Sequence, residues 1–315
     1  MPSRLEEISL GGTLSIDSYL LTYEIARGNI GSVYLAYEER NDRLVAVKIL
    51  KPELCLDSRI VELFYREASI TAKLNHPNIV KILAQGVFRG LPYFVMELIE
   101  GENLAEVAKQ QEIHPKQALE YLMQASLGLA AAWEEGHVHR DIKAENLLLD
   151  GKGRLKVSDF GCVTDLGAKP KENSASFVLG TPHFMSPEQA KGLSVDCRSD
   201  IYSLGATFYY LLSSQHPFEG DSVMEILLHQ IHSPLRPLHS LKGELPRALC
   251  WVIDAMLAKD PKDRYQNYEE LFCDLKKLEI ALSASRPITA KGVSQKREKE
   301  KGLSTKPDFS ISSAA

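Results

Sequence analysis

One string constrains this chain more than any other: His139-Arg140-Asp141-Ile142-Lys143-Ala144-Glu145-Asn146, with Asp159-Phe160-Gly161 shortly after it. Between them lie an apolar run (Leu147-Leu148-Leu149), a glycine-containing turn (Asp150-Gly151-Lys152-Gly153) and a second short run, Leu155-Lys156-Val157. That layout reads as strand, turn and strand, so a hairpin would bring Asn146 and Asp159 close together. The chemistry is as restrictive as the geometry. Carboxylates, an amide and a lysine gathered in a loop and the next strand-turn suit phosphoryl transfer, where one group orients the attacking hydroxyl and oxygen ligands hold metal ions against the phosphates. An isolated His-Arg-Asp triplet would be explained by turn capping. The whole string followed by Asp-Phe-Gly is much more specific.

Composition narrows the setting. The 315 residues are enough for a sizeable core or two lobes, and 44% hydrophobic with 25% charged residues is ordinary for a globular protein. A net charge of −5 argues against broad nucleic-acid binding. Five cysteines, with no Cys-x-x-Cys pair, suggest reduced thiols and a cytoplasmic location. The first residues lack the basic-then-apolar layout of a secretory signal, and the longest apolar candidate, Ala206–Leu212, is far too short to span a bilayer, so no membrane insertion by this chain is expected.

Residues 1–16 are polar and glycine-containing and read as a flexible extension. From Tyr23 the pattern becomes strand-like: Tyr23–Ala26, Ser32–Tyr37 and Leu44–Leu50, with Asn41-Asp42 marking a turn. The turn Arg27-Gly28-Asn29-Ile30-Gly31 would let backbone N–H groups approach phosphate oxygens. The amphipathic helix Ser58–Leu74 carries Glu67 on or beside its apolar stripe, where a charge is costly unless paired. As a surface glutamate it could instead be satisfied by its neighbours Arg66 and Lys73. His76-Pro77 breaks the helix, and Ile79–Gln85 pairs with Tyr93–Leu98 across Phe88–Leu91. Helices then follow at Lys116–Glu135, from Asp200 to about Leu212, and at Val223–Gln230, Pro246–Leu257 and Asn267–Leu282.

Taken in order, these segments resemble the protein serine/threonine kinases of the eukaryotic (Hanks) type, and Ser186-Pro187-Glu188-Gln189-Ala190 is most similar to their bacterial branch. The resemblance covers about Tyr23 to Leu282. It implies an α+β, two-lobed fold: a small antiparallel β-sheet lobe with one helix (17–99), a larger mostly helical lobe (100–283), and a disordered polar tail (284–315). It also implies transfer of the ATP γ-phosphate to Ser/Thr hydroxyls of protein substrates, with Mg2+, and leaves room for a transient homodimer in autophosphorylation.

The resemblance assigns roles residue by residue. Asp141 would accept the hydroxyl proton, Lys143 would contact the transferred phosphate, and Asn146 and Asp159 would bind metal. Lys48, ending Val45-Ala46-Val47-Lys48, would hold the α- and β-phosphates and pair with Glu67. The nucleotide pocket would be formed by Ala26, Gly28, Gly31, Val33, Ala46, Lys48, Met96, Glu97, Ile99 and Leu148. Ala26 stands where the family's loop has its first glycine, which bears on loop flexibility and ATP affinity more than on the chemistry. His139 reads as a packed core histidine, and Asp200 as either a helix N-cap or a brace for the catalytic-loop backbone. Thr181 would bond Asp141 and Lys143, Arg264 would pair with Glu188, and phosphorylation of Ser174 or Ser176 would order the activation segment through Arg140. A catalytically dead scaffold and a small-molecule phosphotransferase are the rival readings. The first does not need Asp141, and the second does not need the Gly180–Glu188 segment with Arg264.

Overall fold

In the computed structural model, residues 14–160 and 181–284 are described. The first part of the chain builds a six-stranded antiparallel sheet in the order β1-β2-β3-β4-β6-β5: β1 (Leu14–Ile16), β2 (Tyr19–Arg27), β3 (Gly31–Glu38), β4 (Arg43–Leu50), β5 (Ile82–Phe88) and β6 (Leu91–Glu97). Its turns are where positive φ is affordable. Asp42 sits at φ 48°, while Arg89 (φ 53°) and Gly90 (φ 83°) form the two-residue connection from β5 to β6 that matches strand twist. Gly31 opens β3 so close to β4 that a Cβ there would lie 2.5 Å from the Ile49 carbonyl oxygen. That glycine is required by sheet packing, independently of any ligand.

The sheet starts earlier than the sequence pattern predicts. Leu14–Ile16 pairs with β2 (Ser15 opposite Leu20), Ile16 is fully buried, and the Tyr93 hydroxyl donates to the Asp17 carboxylate at the intervening turn. Three residues are too few to display an alternation, so residues up to 16 read as an extension although their last three are strand.

Helix α1 (Ser58–Thr71) lies on the sheet, its N-cap Asp57 accepting from the Arg59 amide at 3.0 Å. Phe64 packs on Phe94 of β6 with ring centroids 4.9 Å apart. The helix stops at Thr71, short of the expected Leu74, because the chain turns toward His76-Pro77. It then runs alongside the second sheet, β7 (Leu147–Leu149) with β8 (Leu155–Val157). Val80 N donates to Val157 O (2.9 Å), Val157 N to Asn78 O (2.8 Å), and the Asn78 amide to Leu155 O (2.7 Å). The end of α1 is thereby joined to the hairpin that carries Asn146 and Asp159.

Helices α2 (Leu104–Gln110), α3 (Pro115–Glu134), α4 (Pro187–Ala190), α5 (Cys197–Ser213), α6 (Val223–His232), α7 (Leu238–Leu241), α8 (Arg247–Met256) and α9 (Tyr268–Ala284) surround a second, larger core. Helix α5 is buried along almost its whole length, as an all-round apolar helix must be. Gly101 lets the chain after β6 reach this half: a Cβ there would sit 2.1 Å from the Leu149 carbonyl oxygen. The architecture is α+β with the sheet and the helices segregated, as expected from the sequence.

Candidate active site

The site is built where the two halves meet. Lys48 on the central strand β4 projects toward α1, and its Nζ donates to Glu67 Oε1 at 2.9 Å and to Asp159 Oδ1 at 2.8 Å. Two carboxylates, one on α1 and one just beyond β8, thus converge on one ammonium. Burial alone would lower the Lys48 pKa, but the Asp159 and Glu67 carboxylates outweigh it and raise it. Burial pushes the Glu67 carboxyl up against the pull of Lys48. For Asp159 burial also acts upward, and Lys48 overrides it, leaving that carboxyl below its ordinary range. The charge on Glu67 is thus met by Lys48.

Two residues bearing side chains hold left-handed backbone here: Arg140 at φ 70° and Asp159 at φ 58°. Such geometry costs about 1–3 kcal/mol each and persists only where the surroundings over-determine it. Asp200 supplies much of that restraint, accepting from His139 N at 2.7 Å and Arg140 N at 2.8 Å. The N-cap of α5 is Asp196, so of the two roles read for Asp200 the structure shows the brace. Gln189 adds a third tie, its Nε2 donating to Arg140 O at 2.9 Å. His139 is fully buried, with Nε2 2.8 Å from Ser158 O and its ring 4.6 Å from Phe160. It links the backbone before Asp141 to the backbone before Asp159.

Around Asp141, Lys143 Nζ lies 3.0 Å from Oδ2 and donates to Thr181 Oγ1 at 3.2 Å, while Thr181 N approaches Oδ1 at 3.4 Å. Asn146 Nδ2 donates to Asp141 O at 2.8 Å, which turns Oδ1 of the amide to the other side. Asp159 uses Oδ1 on Lys48, leaving Oδ2 as its second oxygen. No group of three or more His, Cys, Asp or Glu among the described residues is set to hold a metal unaided. One amide and one carboxylate oxygen instead suit a hard cation that takes its remaining ligands from phosphate and water.

Next to these polar groups lies an apolar wall. Ala46 and Met96 face each other in register on β4 and β6, and Val33, Ile99 and Leu148 pack against the same cluster. Ala26 and Gly28 lie exposed on the β2–β3 hairpin, where Gly28 N donates to Gly31 O at 2.9 Å. The Glu97 side chain turns away to meet Lys156 Nζ at 2.7 Å and accepts from Lys81 N at 2.8 Å. Sequence reasoning missed Lys156, Gln189 and Gln230; a lysine inside an apolar strand was the one available signal, for Lys156.

The chain after Thr181 is anchored by Glu188, whose carboxylate takes both Arg264 nitrogens at 2.8 and 2.9 Å and the Ser199 hydroxyl at 2.6 Å. Burial would raise the Glu188 pKa, but Arg264 brings it below the usual carboxylate range. Ser174, Ser176 and the tail from residue 285 lie outside the described residues.

The family model for the protein kinase domain matches residues 19–274. The serine/threonine-protein kinase PrkC of Bacillus subtilis is 37% identical over 259 residues, covering 82% of this chain and 40% of that protein. PknB of Mycobacterium tuberculosis is 36% identical over 267 residues, 82% of this chain and 42% of PknB. This chain thus spans about two fifths of the length of the curated relatives it matches. Among solved structures, the kinase domain of Mycobacterium tuberculosis PknI superposes with a TM-score of 0.65 at 23% identity, over 84% of this chain and 97% of that one. With the catalytic string, the lysine–carboxylate centre and the fold all in agreement, the chain belongs to the protein kinase family, in its bacterial serine/threonine branch.

Proposed function

We propose that this chain transfers the γ-phosphate of ATP to serine or threonine hydroxyls of protein substrates, itself included through a transient encounter of two copies. The observation that carries the reading is the convergence of Lys48, Glu67 and Asp159 on one side of the cleft with Asp141, Lys143 and Asn146 on the other. In this reading Lys48 leaves its carboxylate partners in part to hold the α- and β-phosphates, and Glu67 fixes its position. Val33, Ala46, Met96, Ile99 and Leu148 enclose the adenine, with Glu97 and Ile99 offering it backbone groups. Ala26, Gly28 and Gly31 cover the phosphates from the hairpin. Asn146 and Asp159 hold Mg2+, which when bound neutralises charge developing on the phosphates. Asp141 orients the acceptor hydroxyl and takes its proton, and Lys143 stabilises the oxygen charge beside it.

Protein acceptors are favoured over small molecules by the anchored Thr181–Glu188 segment, a platform that a small substrate would not need. Free thiols at Cys55, Cys197, Cys250 and Cys273 fit a reducing, cytoplasmic setting. No helix among the described residues is long and apolar enough to cross a membrane. The test is label transfer from γ-labelled ATP to myelin basic protein and to the chain itself. Wild type is expected to label both, and Asp141→Asn to lose about 10²–10⁴-fold in rate with ATP binding retained. Equal labelling by the Asn variant would refute the role of Asp141. Absence of label in both, with ATP bound, would make the chain a scaffold.

A further inference from the structure

Gln230 on α6 is a fully buried polar side chain far in sequence from every catalytic motif. Its Nε2 donates to two consecutive carbonyls of the Pro182–Phe184 turn, to Pro182 O at 3.1 Å and to His183 O at 2.7 Å. Its Oε1 accepts from the Tyr202 hydroxyl at 2.5 Å. Two carbonyls on one side and a hydroxyl on the other fix the amide's orientation, since a flipped amide would set oxygen against oxygen. The backbone is held as well: Lys259 Nζ, 3.4 Å from the Phe218 ring centroid, donates to Gln230 O at 2.6 Å and His229 O at 3.1 Å.

The supports of this amide belong to the frame of the site. Tyr202 lies on α5, the helix that presents Asp200 to the catalytic loop, and its ring carries the Arg264 guanidinium at 4.8 Å. The turn that the amide grips begins directly after Thr181, whose own amide and hydroxyl face Asp141 and Lys143. Arg140 and Asp141 of the catalytic loop and Thr181, Phe184 and Met185 of the turn border one another. Gln230 therefore fixes two backbone carbonyls of the Pro182–Phe184 turn, whose side chains pack on His216 and Tyr210.

We propose that Gln230 is a positioning residue for the acceptor: its amide sets the turn so that a protein substrate can place a hydroxyl on Asp141, and it acts on acceptor affinity, not on nucleotide affinity. The inference rests on the phosphotransfer reading above. The hydrogen bonds of Gln230 run to the turn, Tyr202 and Lys259, none of which belongs to the Lys48 centre or the apolar wall, so ATP binding has no reason to respond to it.

The test is steady-state kinetics with myelin basic protein, varying acceptor and ATP separately. In Gln230→Leu the acceptor KM is expected to rise about tenfold, the effect of losing one or two buried hydrogen bonds, while the ATP KM stays within about twofold. Gln230→Glu keeps the shape and the acceptor for Tyr202 but turns oxygen toward both carbonyls, so it should be at least as impaired. Tyr202→Phe, which removes only the orienting hydroxyl, should shift the acceptor KM about threefold in the same direction; if the glutamine variants do not fold, this one decides. An unchanged acceptor KM, a Glu variant that behaves as wild type, or an ATP KM that rises in step would overturn the inference. A wild type that labels no acceptor would instead defeat the phosphotransfer reading, and this inference with it.

Discussion

Lys48 shows how much a single side chain can be asked to balance. Its ammonium is shared by two carboxylates, one on α1 and one at the end of the β7–β8 hairpin. Removing it in Lys48→Met would leave Glu67 buried without its cation, and would free Asp159 from the contact that lowers its pKa. Phosphate transfer is expected to fall by at least about 10²-fold, as for loss of other preorganised charge at a reacting centre, and the thermal midpoint to drop by several degrees. A variant with wild-type rate would show that the convergence is structural only. The left-handed backbones of Arg140 and Asp159 belong to the same scale. Each is held by hydrogen bonds from residues distant in sequence, which is why neither was legible there. The string itself announced which side chains mattered, but nothing in it announced the strain.

Among elements, the join between α4 and the loop before α9 rests on a buried ion pair. The Arg264 side chain is fully buried and grips Glu188 with two nitrogens. Breaking such a pair by removing one partner costs about 3–5 kcal/mol, because the other charge stays buried. Arg264→Ala should show that loss as a lower denaturation midpoint, with transfer activity reduced in the fraction that remains folded. The pair has a signed pH dependence. Its folded carboxyl lies below the ordinary value of 4.5, so its contribution is complete above that value and is lost as pH falls through the folded pKa. A titration of wild type against the variant should therefore diverge least at the acid end. Both partners were legible in the sequence through the family resemblance. Helix periods also placed α1, α3, α5, α6, α8 and α9 to within a few residues of their observed ends. What escaped were the short elements, β1, α2, α4 and α7, which lack the two turns or the full alternation on which a period can be read.

At the scale of the whole molecule, stability should weaken on mild acidification through histidines kept neutral. Burial, reinforced by the neighbouring His183, pushes His216 down to about 4, with Glu219 opposing. His76 and His137 are lowered too, chiefly by burial. Between pH 6.5 and about 4 the unfolded chain binds a proton at His216 that the folded chain refuses, so stability falls with pH across that window. The thermal midpoint should drop between pH 7 and 5, and drop less in His216→Phe; equal slopes would contradict the assignment. The two-part architecture follows from segregated strand and helix patterns and could be read in advance. How the parts are fastened could not, because Val80 and Val157 act through backbone hydrogen bonds that carry no residue-type signature.

The central proposal is that Lys48, Asn146 and Asp159 form a single receptor for a metal-bound triphosphate. Calorimetric titration of ATP with and without Mg2+, in wild type and in Asp159→Asn, tests it most directly. The expected result is that Mg2+ tightens ATP binding to wild type by about tenfold or more and leaves binding to the Asn variant nearly unchanged. ATP affinity indifferent to Mg2+ in wild type, or an equal Mg2+ effect in both proteins, would contradict it.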